Sequence, residues 1–168
     1  MRGIVMRGQE DEVTLFASPP KVAREMGLQS SLSVIIDIIN SAKKTLFITC
    51  YEFSSKDLTE LLIRAVERGV FIDLYIDDSN DSRIQRSVKN LKKLNDIGVR
   101  IVRRNSSNSD NHTKAIIADS RTGIIGSANF TRSGMERNIE IGLKLTGPTC
   151  RIFVDKFILG LEGMSDHD

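Results

Sequence analysis

Hydrophobic positions along this chain repeat in some stretches with a period of two and in others near 3.6, and the changes of period outline its elements. Val13 to Ala17 reads as a strand, stopped by Pro19-Pro20. Ser30 or Ser31 is placed to cap a helix whose apolar positions Leu32, Ile35, Ile39 and Ala42 recur at helical spacing. Thr45 to Phe53 is the next strand. Ser55 then caps a helix with the stripe Leu58, Leu61, Leu62, Ala65 and Val66. Gly69 ends that helix as a left-handed C-cap, ahead of a buried-type strand from Val70 to Ile76. A similar unit follows: Ile84, Val88, Leu91 and Leu94 mark a helix, Gly98 ends it, and Val99 to Val102 is a strand. The polar run Asn105 to Asn111 reads as a flexible surface loop. Lys114 to Ala118 and Gly123 to Gly126 are short neighbouring strands, Ile139 to Leu145 is a third, and Thr149 to Leu161 is a closing amphipathic helix.

Strands thus alternate with helices through short turns such as Glu67-Arg68-Gly69-Val70 and Asp96-Ile97-Gly98-Val99. The succession predicts an α/β fold, with a mixed, mainly parallel central sheet flanked by helices on both faces. No linker divides the chain. Residues 1–168 are expected to form one domain, with a core over about 12–162 and a frayed tail over 163–168.

Composition narrows the class. At 168 residues the chain is long enough to bury a core without disulfides or metal. Its 40% hydrophobic and 27% charged content fits a soluble globular protein, and a net charge of +2 does not by itself mark a polyanion binder. The longest apolar stretch, Val34 to Ile39, is interrupted by Asp37 and is too short to span a bilayer. Met1 to Glu12 carries arginines without the apolar centre of a secretory signal. The expectation is a cytoplasmic protein with no integral membrane association. Cys50 and Cys150 lack metal-like spacing; reduced, buried thiols are the favoured reading and a disulfide the alternative.

Candidate chemistry gathers in the last third. Of two histidines, His167 sits in the polar tail, while His112 opens the run His112-Thr113-Lys114-Ala115-Ile116-Ile117-Ala118-Asp119. On an extended segment His112 and Lys114 share a face. Gly126-Ser127-Ala128-Asn129 brings further donors, and the set suits a phosphate. Singly, each residue has an ordinary explanation. His112 could be solvent-exposed, Lys114 an edge lysine that blocks aggregation, Gly126-Ser127 a turn with Asn129 as its left-handed residue, and Glu140 a surface residue of an alternating strand. The combination carries the signal.

That combination resembles the signature of the phospholipase D-like (HKD) phosphodiesterase superfamily: His112-x-Lys114 followed by Asp119, then Gly126-Ser127-x-Asn129, then Glu140. The order of elements from Val13 to Leu161 fits its phospholipase D/nuclease-like fold. The resemblance implies a metal-independent phosphodiesterase that uses no cofactor. His112, Lys114, Asn129, Glu140 and Ser127 form the implied catalytic set. Lys114, Ser127 and Asn129 are the implied substrate contacts, and Asp119 and Gly126 are structural supports; Arg104 and Arg132 are added as candidate substrate contacts because they are basic residues near the motif. One neutral imidazole would attack phosphorus while a protonated one serves the leaving oxygen. Lys114, Asn129 and Ser127 would hold the non-bridging oxygens, and Glu140 would orient the imidazole. Members with one copy of the motif form homodimers in which two histidines meet. One His112 per chain agrees, and implies a C2 dimer with the active site on its axis.

The acidic run Asp77-Asp78-Ser79-Asn80-Asp81 is the rival site, for a cation. It lacks the glycine and distant glutamate of a calcium loop, so a strand-end turn near the phosphate site is the favoured reading. For the substrate, Arg100, Arg103 and Arg104 precede the motif, and Arg121, Arg132 and Arg137 flank it in sequence. Such a distribution suits a nucleic-acid backbone, although a solvated surface explains it equally well. Asn129-Phe130-Thr131-Arg132-Ser133-Gly134-Met135 resembles the corresponding stretch of small single-motif endonucleases. The expectation is an endonuclease acting on DNA, with single-stranded DNA or RNA also open. The alternatives are a phospholipase D or phosphatidyl-transferring enzyme, and a non-catalytic nucleic-acid-binding module.

Overall fold

A computed structural model describes residues 10–77, 82–104, 111–158 and 160, with backbone alone for 82–86 and 104. Asp78 to Asp81 of the acidic run, Asn105 to Asp110 of the polar loop, and His167 lie outside the described residues. The strands are β1 (Glu12–Ser18), β2 (Gln29–Ser30), β3 (Thr45–Cys50), β4 (Phe71–Asp77), β5 (Arg100–Arg104), β6 (Ala115–Ala118), β7 (Thr122–Gly126) and β8 (Glu140–Thr146). The helices are α1 (Pro20–Glu25), α2 (Ser31–Ser41), α3 (Lys56–Glu67), α4 (Ser82–Asp96), α5 (Arg132–Glu136) and α6 (Pro148–Phe153), the last continuing as a π-helical turn over Val154–Ile158.

Local chemistry sets most of these limits. Ser30 caps α2 by accepting from the Ser33 N–H at 3.2 Å, and Ser55 caps α3 through the Leu58 N–H at the same distance. Gly69 and Gly98 take the positive φ values of 83° and 98° that let α3 and α4 turn directly into β4 and β5. β1 stops at Ser18 before Pro19-Pro20, as expected, and Pro20 also starts α1, where its missing N–H costs nothing. Elsewhere a limit differs from expectation. The strand from Thr45 ends at Cys50, and Phe53 makes only an isolated bridge to Phe130.

The eight strands among the described residues form one sheet in the order β2-β1-β8-β7-β6-β3-β4-β5. The mixed sheet was expected, but its balance is not mainly parallel. β1–β2, β3–β4 and β4–β5 pair in parallel, whereas β1–β8, β3–β6, β6–β7 and β7–β8 pair antiparallel. The cause is the length of the C-terminal connections. A parallel return needs a crossover of about a dozen residues, and β6 reaches β7 through a tight hairpin. Helices cover both faces. Leu46, Ile48 and Cys50 point into the main core with Ile35, Ile39 and Leu62 of α2 and α3, while Ile117 and Leu145 meet Cys150 and Val154 on the other face. Cys50 and Cys150 therefore lie in different cores, each a free thiol.

Strand direction decides where side chains gather. β1, β3, β4, β5 and β7 run one way and β6 and β8 the other, so the C-terminal ends of the first group share an edge with the starts of β6 and β8. At the opposite edge Asp119 turns the β6–β7 hairpin, with Asp119 and Ser120 both at positive φ. Its carboxylate accepts from the N–H groups of Lys43, Lys44 and Thr45 at 3.0, 2.8 and 2.9 Å, fixing the entry to β3. Partial burial works against the charge, but those three donors and the Lys44 ammonium outweigh it and hold the carboxyl below its ordinary value. Its contribution to stability is therefore full above the unfolded value of about 3.9 and is lost as pH falls through the lowered folded value. Asp119→Ala is expected to cost roughly 1–3 kcal/mol in urea unfolding at pH 7, and less on acidification. Equal costs at pH 7 and pH 2 would remove this account.

Candidate active site

The N–H and C=O groups at the strand ends bring the motif together. The Gly126 N–H donates to the Lys114 carbonyl at 3.1 Å, so the segment after β7 lies beside the segment before β6. The Ser127 N–H donates to the Ile141 carbonyl at 3.1 Å, which adds the start of β8. Residues 51–55 after β3 close the other side. The Phe130 N–H donates to the Glu52 carbonyl at 3.2 Å, and the Ser54 and Ser55 N–H groups donate to the Phe130 carbonyl. Four strand ends thus carry His112, Lys114, Ser127, Asn129 and Glu140 to one edge.

Each side chain is held by its neighbours. His112 is exposed, and its ring lies 4.5 Å from that of Tyr51, tilted by 31°. Lys114 donates from Nζ to the His112 carbonyl at 2.5 Å. Burial lowers the Lys114 pKa, and the nearby Glu140 carboxylate opposes that fall. The neighbouring Cys50 thiol is fully buried, which pushes its pKa far up and keeps it neutral near pH 7. Ser127 Oγ donates to Glu140 Oε2 at 2.5 Å, and Asn138 Nδ2 donates to Glu140 Oε1 at 3.3 Å. Asn129 Oδ1 accepts from the Glu52 N–H at 3.3 Å, which leaves its amide NH2 on the other side.

Two glycines permit this packing. A Cβ on Gly134 would sit 2.4 Å from the Asn129 carbonyl oxygen, so α5 reaches the Asn129 backbone only without a side chain there. A Cβ on Gly126 would meet the Ile141 oxygen at 3.1 Å and the Gly142 Cα at 3.2 Å, which fits a supporting part for Gly126.

Not every candidate joins the cluster. Asp119 is five residues beyond Lys114 along β6, about 16 Å away on the opposite edge. Arg121 is in the same far hairpin, and Arg100 starts β5, where it binds Asp73 at 2.8 Å and the Tyr75 hydroxyl at 3.0 Å. Arg104 ends β5 on the site's edge, with its side chain outside the described residues, and β5 lies three strands from β6. Arg132 is on α5 close to the cluster, exposed, and paired with Glu136 at 3.3 Å. Sequence reading missed Tyr51 and Glu52, which follow β3 and reach the site only through the sheet order. Of the acidic run, Asp77 alone is described, and it is buried. Among the described residues no group of three or more His, Cys, Asp or Glu is arranged to hold a metal.

Comparison with known proteins converges on one family. Residues 35–158 match the model described as "Cardiolipin synthase, PLD-like domain". The chain is 27% identical over 157 residues to the DISARM protein DrmC of Bacillus paralicheniformis, covering 90% of this chain and 63% of that protein. It is 31% identical over 134 residues to cardiolipin synthase A of Buchnera aphidicola, covering 78% of this chain and 26% of the relative. It therefore spans less than two thirds of either. The crystal structure of Nuc, a phospholipase D family member from Salmonella typhimurium, superposes with a TM-score of 0.72 at 25% identity, over 92% of this chain and 93% of that one.

Proposed function

The chain belongs to the PLD-like phosphodiesterase superfamily, and from that premise we propose that it is a metal-independent endonuclease whose active site is shared by two copies. The observation that supports it best is the meeting of His112, Lys114, Ser127, Asn129 and Glu140 at one sheet edge. One His112 imidazole attacks phosphorus, forming a P–N bond as the P–O bond breaks. The leaving oxygen takes a proton from the second chain's imidazole. That imidazole then removes a proton from water, which attacks phosphorus, breaks the P–N bond and restores His112. Lys114 and the Asn129 amide stabilise the charge on the non-bridging oxygens. Glu140 balances the Lys114 charge and fixes Ser127.

Nucleic acid is the favoured substrate for two reasons. The stretch from Asn129 to Met135 resembles that of small single-motif endonucleases, and Arg132 and Arg137 on or beside α5 are exposed near the site. A phosphatidyl-transferring activity is the second reading, favoured by the matched family model and by the likeness to cardiolipin synthase A. No helix among the described residues is long and apolar enough to cross a membrane.

Plasmid, an RNA oligonucleotide and cardiolipin vesicles incubated with the protein in EDTA separate these readings. Cutting of nucleic acid that needs His112 is expected. Turnover of lipid alone would favour the second reading, and binding without His112-dependent cutting would leave a nucleic-acid-binding module. Magnesium-dependent activity would contradict the histidine mechanism.

Lys114 also predicts the alkaline side of the pH profile. Because burial lowers its pKa, the ammonium is lost below the ordinary lysine value of about 10.4. The kcat/KM should therefore fall with rising pH before that point, and Lys114→Arg, whatever activity it retains, should lose this limb. An identical limb in Lys114→Arg would assign it to another group.

A further inference from the structure

Asn111 is buried at 4% exposure, although it belongs to a polar run that reads as surface loop and stands beside an exposed histidine. Three hydrogen bonds account for its position. Its backbone N–H donates to Asp77 Oδ2 at 2.6 Å, at the end of β4. Its Nδ2 donates to Thr49 Oγ1 at 2.9 Å, near the end of β3. Its Oδ1 accepts from the Thr113 N–H at 3.2 Å, closing an Asx turn with His112 at its centre. Asp77 and Thr49 are themselves buried, at 4% and 0% exposure. With Lys114 bonded to the His112 carbonyl, the backbone is tied on both sides of the imidazole.

Burying an amide, a hydroxyl and a carboxylate is unfavourable unless each finds partners, and apolar residues of similar size commonly serve stability as well. What a satisfied polar network supplies is one defined geometry. Here that geometry is the backbone of His112. We propose that Asn111, anchored by Asp77 and Thr49, is a positioning residue that aims the His112 imidazole at the phosphorus. Asn111 itself touches no reacting atom. The inference rests on the phosphodiesterase reading above.

Asn111→Leu keeps the branching at Cγ and removes both side-chain bonds. Thr49→Val removes the acceptor, and Thr49→Ser retains it. With bis(p-nitrophenyl) phosphate, folded Asn111→Leu is expected to lose about 100-fold in kcat, as a displacement of about 1 Å does, with KM changed by less than about twofold. Thr49→Val should lose about tenfold and Thr49→Ser should behave as wild type. Imidazole 1H–15N spectra, with the His112 signals assigned by their loss in His112→Asn, supply a readout independent of turnover. The His112 signals should shift or broaden in Asn111→Leu and hold in Thr49→Ser. An unchanged kcat, or unchanged His112 signals, in folded Asn111→Leu overturns the proposal. If wild type cleaves no phosphodiester, the functional reading fails separately and the imidazole spectra alone decide the positioning role.

Discussion

His112→Asn is expected to lower phosphodiester turnover by about 10⁴-fold or more, with KM and stability close to wild type. The size follows from what the side chain is asked to do. The attacking group must make a bond to phosphorus, and asparagine has no lone pair basic enough to replace the imidazole. In a shared site the substitution also removes the proton donor for the leaving oxygen, because both parts are played by the same residue from two chains. Binding should persist, since Lys114 and Asn129, the proposed contacts to the phosphate oxygens, remain in place. Stability should persist because the imidazole is exposed, resting on Tyr51 rather than in either core. Steady-state kinetics with a thermal melt checks all three. A folded His112→Asn that turns over within tenfold of wild type would remove the covalent mechanism.

The legible parts of this chain are those whose signals are local. Ser30 and Ser55 announce α2 and α3, and Gly69 and Gly98 announce the turns into β4 and β5, because a cap or a left-handed residue acts within a few positions. The β6–β7 hairpin carries no such mark. Asp119 and Ser120 adopt positive φ without glycine, held by bonds from Lys43 to Thr45, which are remote in sequence. Extending the early β-α-β pattern across that hairpin overestimates the parallel share of the sheet. β2 and α5 are too short to show a period at all. The same division runs through the site. His112 to Lys114 and Gly126 to Asn129 are contiguous and stand out, whereas Tyr51, Thr49 and Asp77 arrive from β3 and β4 through sheet order alone. Asn111 reads as loop because its composition is that of loop, and its burial depends on acceptors dozens of positions away.

Leu143→Asp is expected to turn a dimer into a folded, inactive monomer. Val13, Leu15, Ile141 and Leu143 are 52, 50, 55 and 41% exposed on one sheet face, where isolated exposed leucines would be ordinary but an aligned row is not. Leu15 and Ile125 are the register partners of Leu143 on its two sides, so the three form a row across β1, β8 and β7. α6 covers Leu145 and Ile117 on that face, Ile125 packs partly against them, and Leu15 and Leu143 are left open. The depression over it is lined by Leu15, Ile125, Leu143, Ile141 and also by Ser127, so the apolar face runs into the candidate active site. A second copy seated there would cover the row and bring its own His112 near the first, which is what a one-histidine site requires. An aspartate at 143 meets water in the monomer but is desolvated in the pair, and the twofold counts it twice. A penalty of about 3 kcal/mol per copy would weaken association by more than about 10⁴-fold. Sedimentation should then show a monomer at micromolar concentration, with unchanged circular dichroism and turnover lost although every motif residue is present. Mixing His112→Asn with Lys114→Ala should restore nothing, since the mixed site still lacks one imidazole and one ammonium. Full activity from a monomeric Leu143→Asp would return the complete reaction to a single chain, whereas recovery in that mixture would show that a shared site works with one imidazole and one ammonium, and either outcome would require a proton donor other than a second His112 for the leaving oxygen.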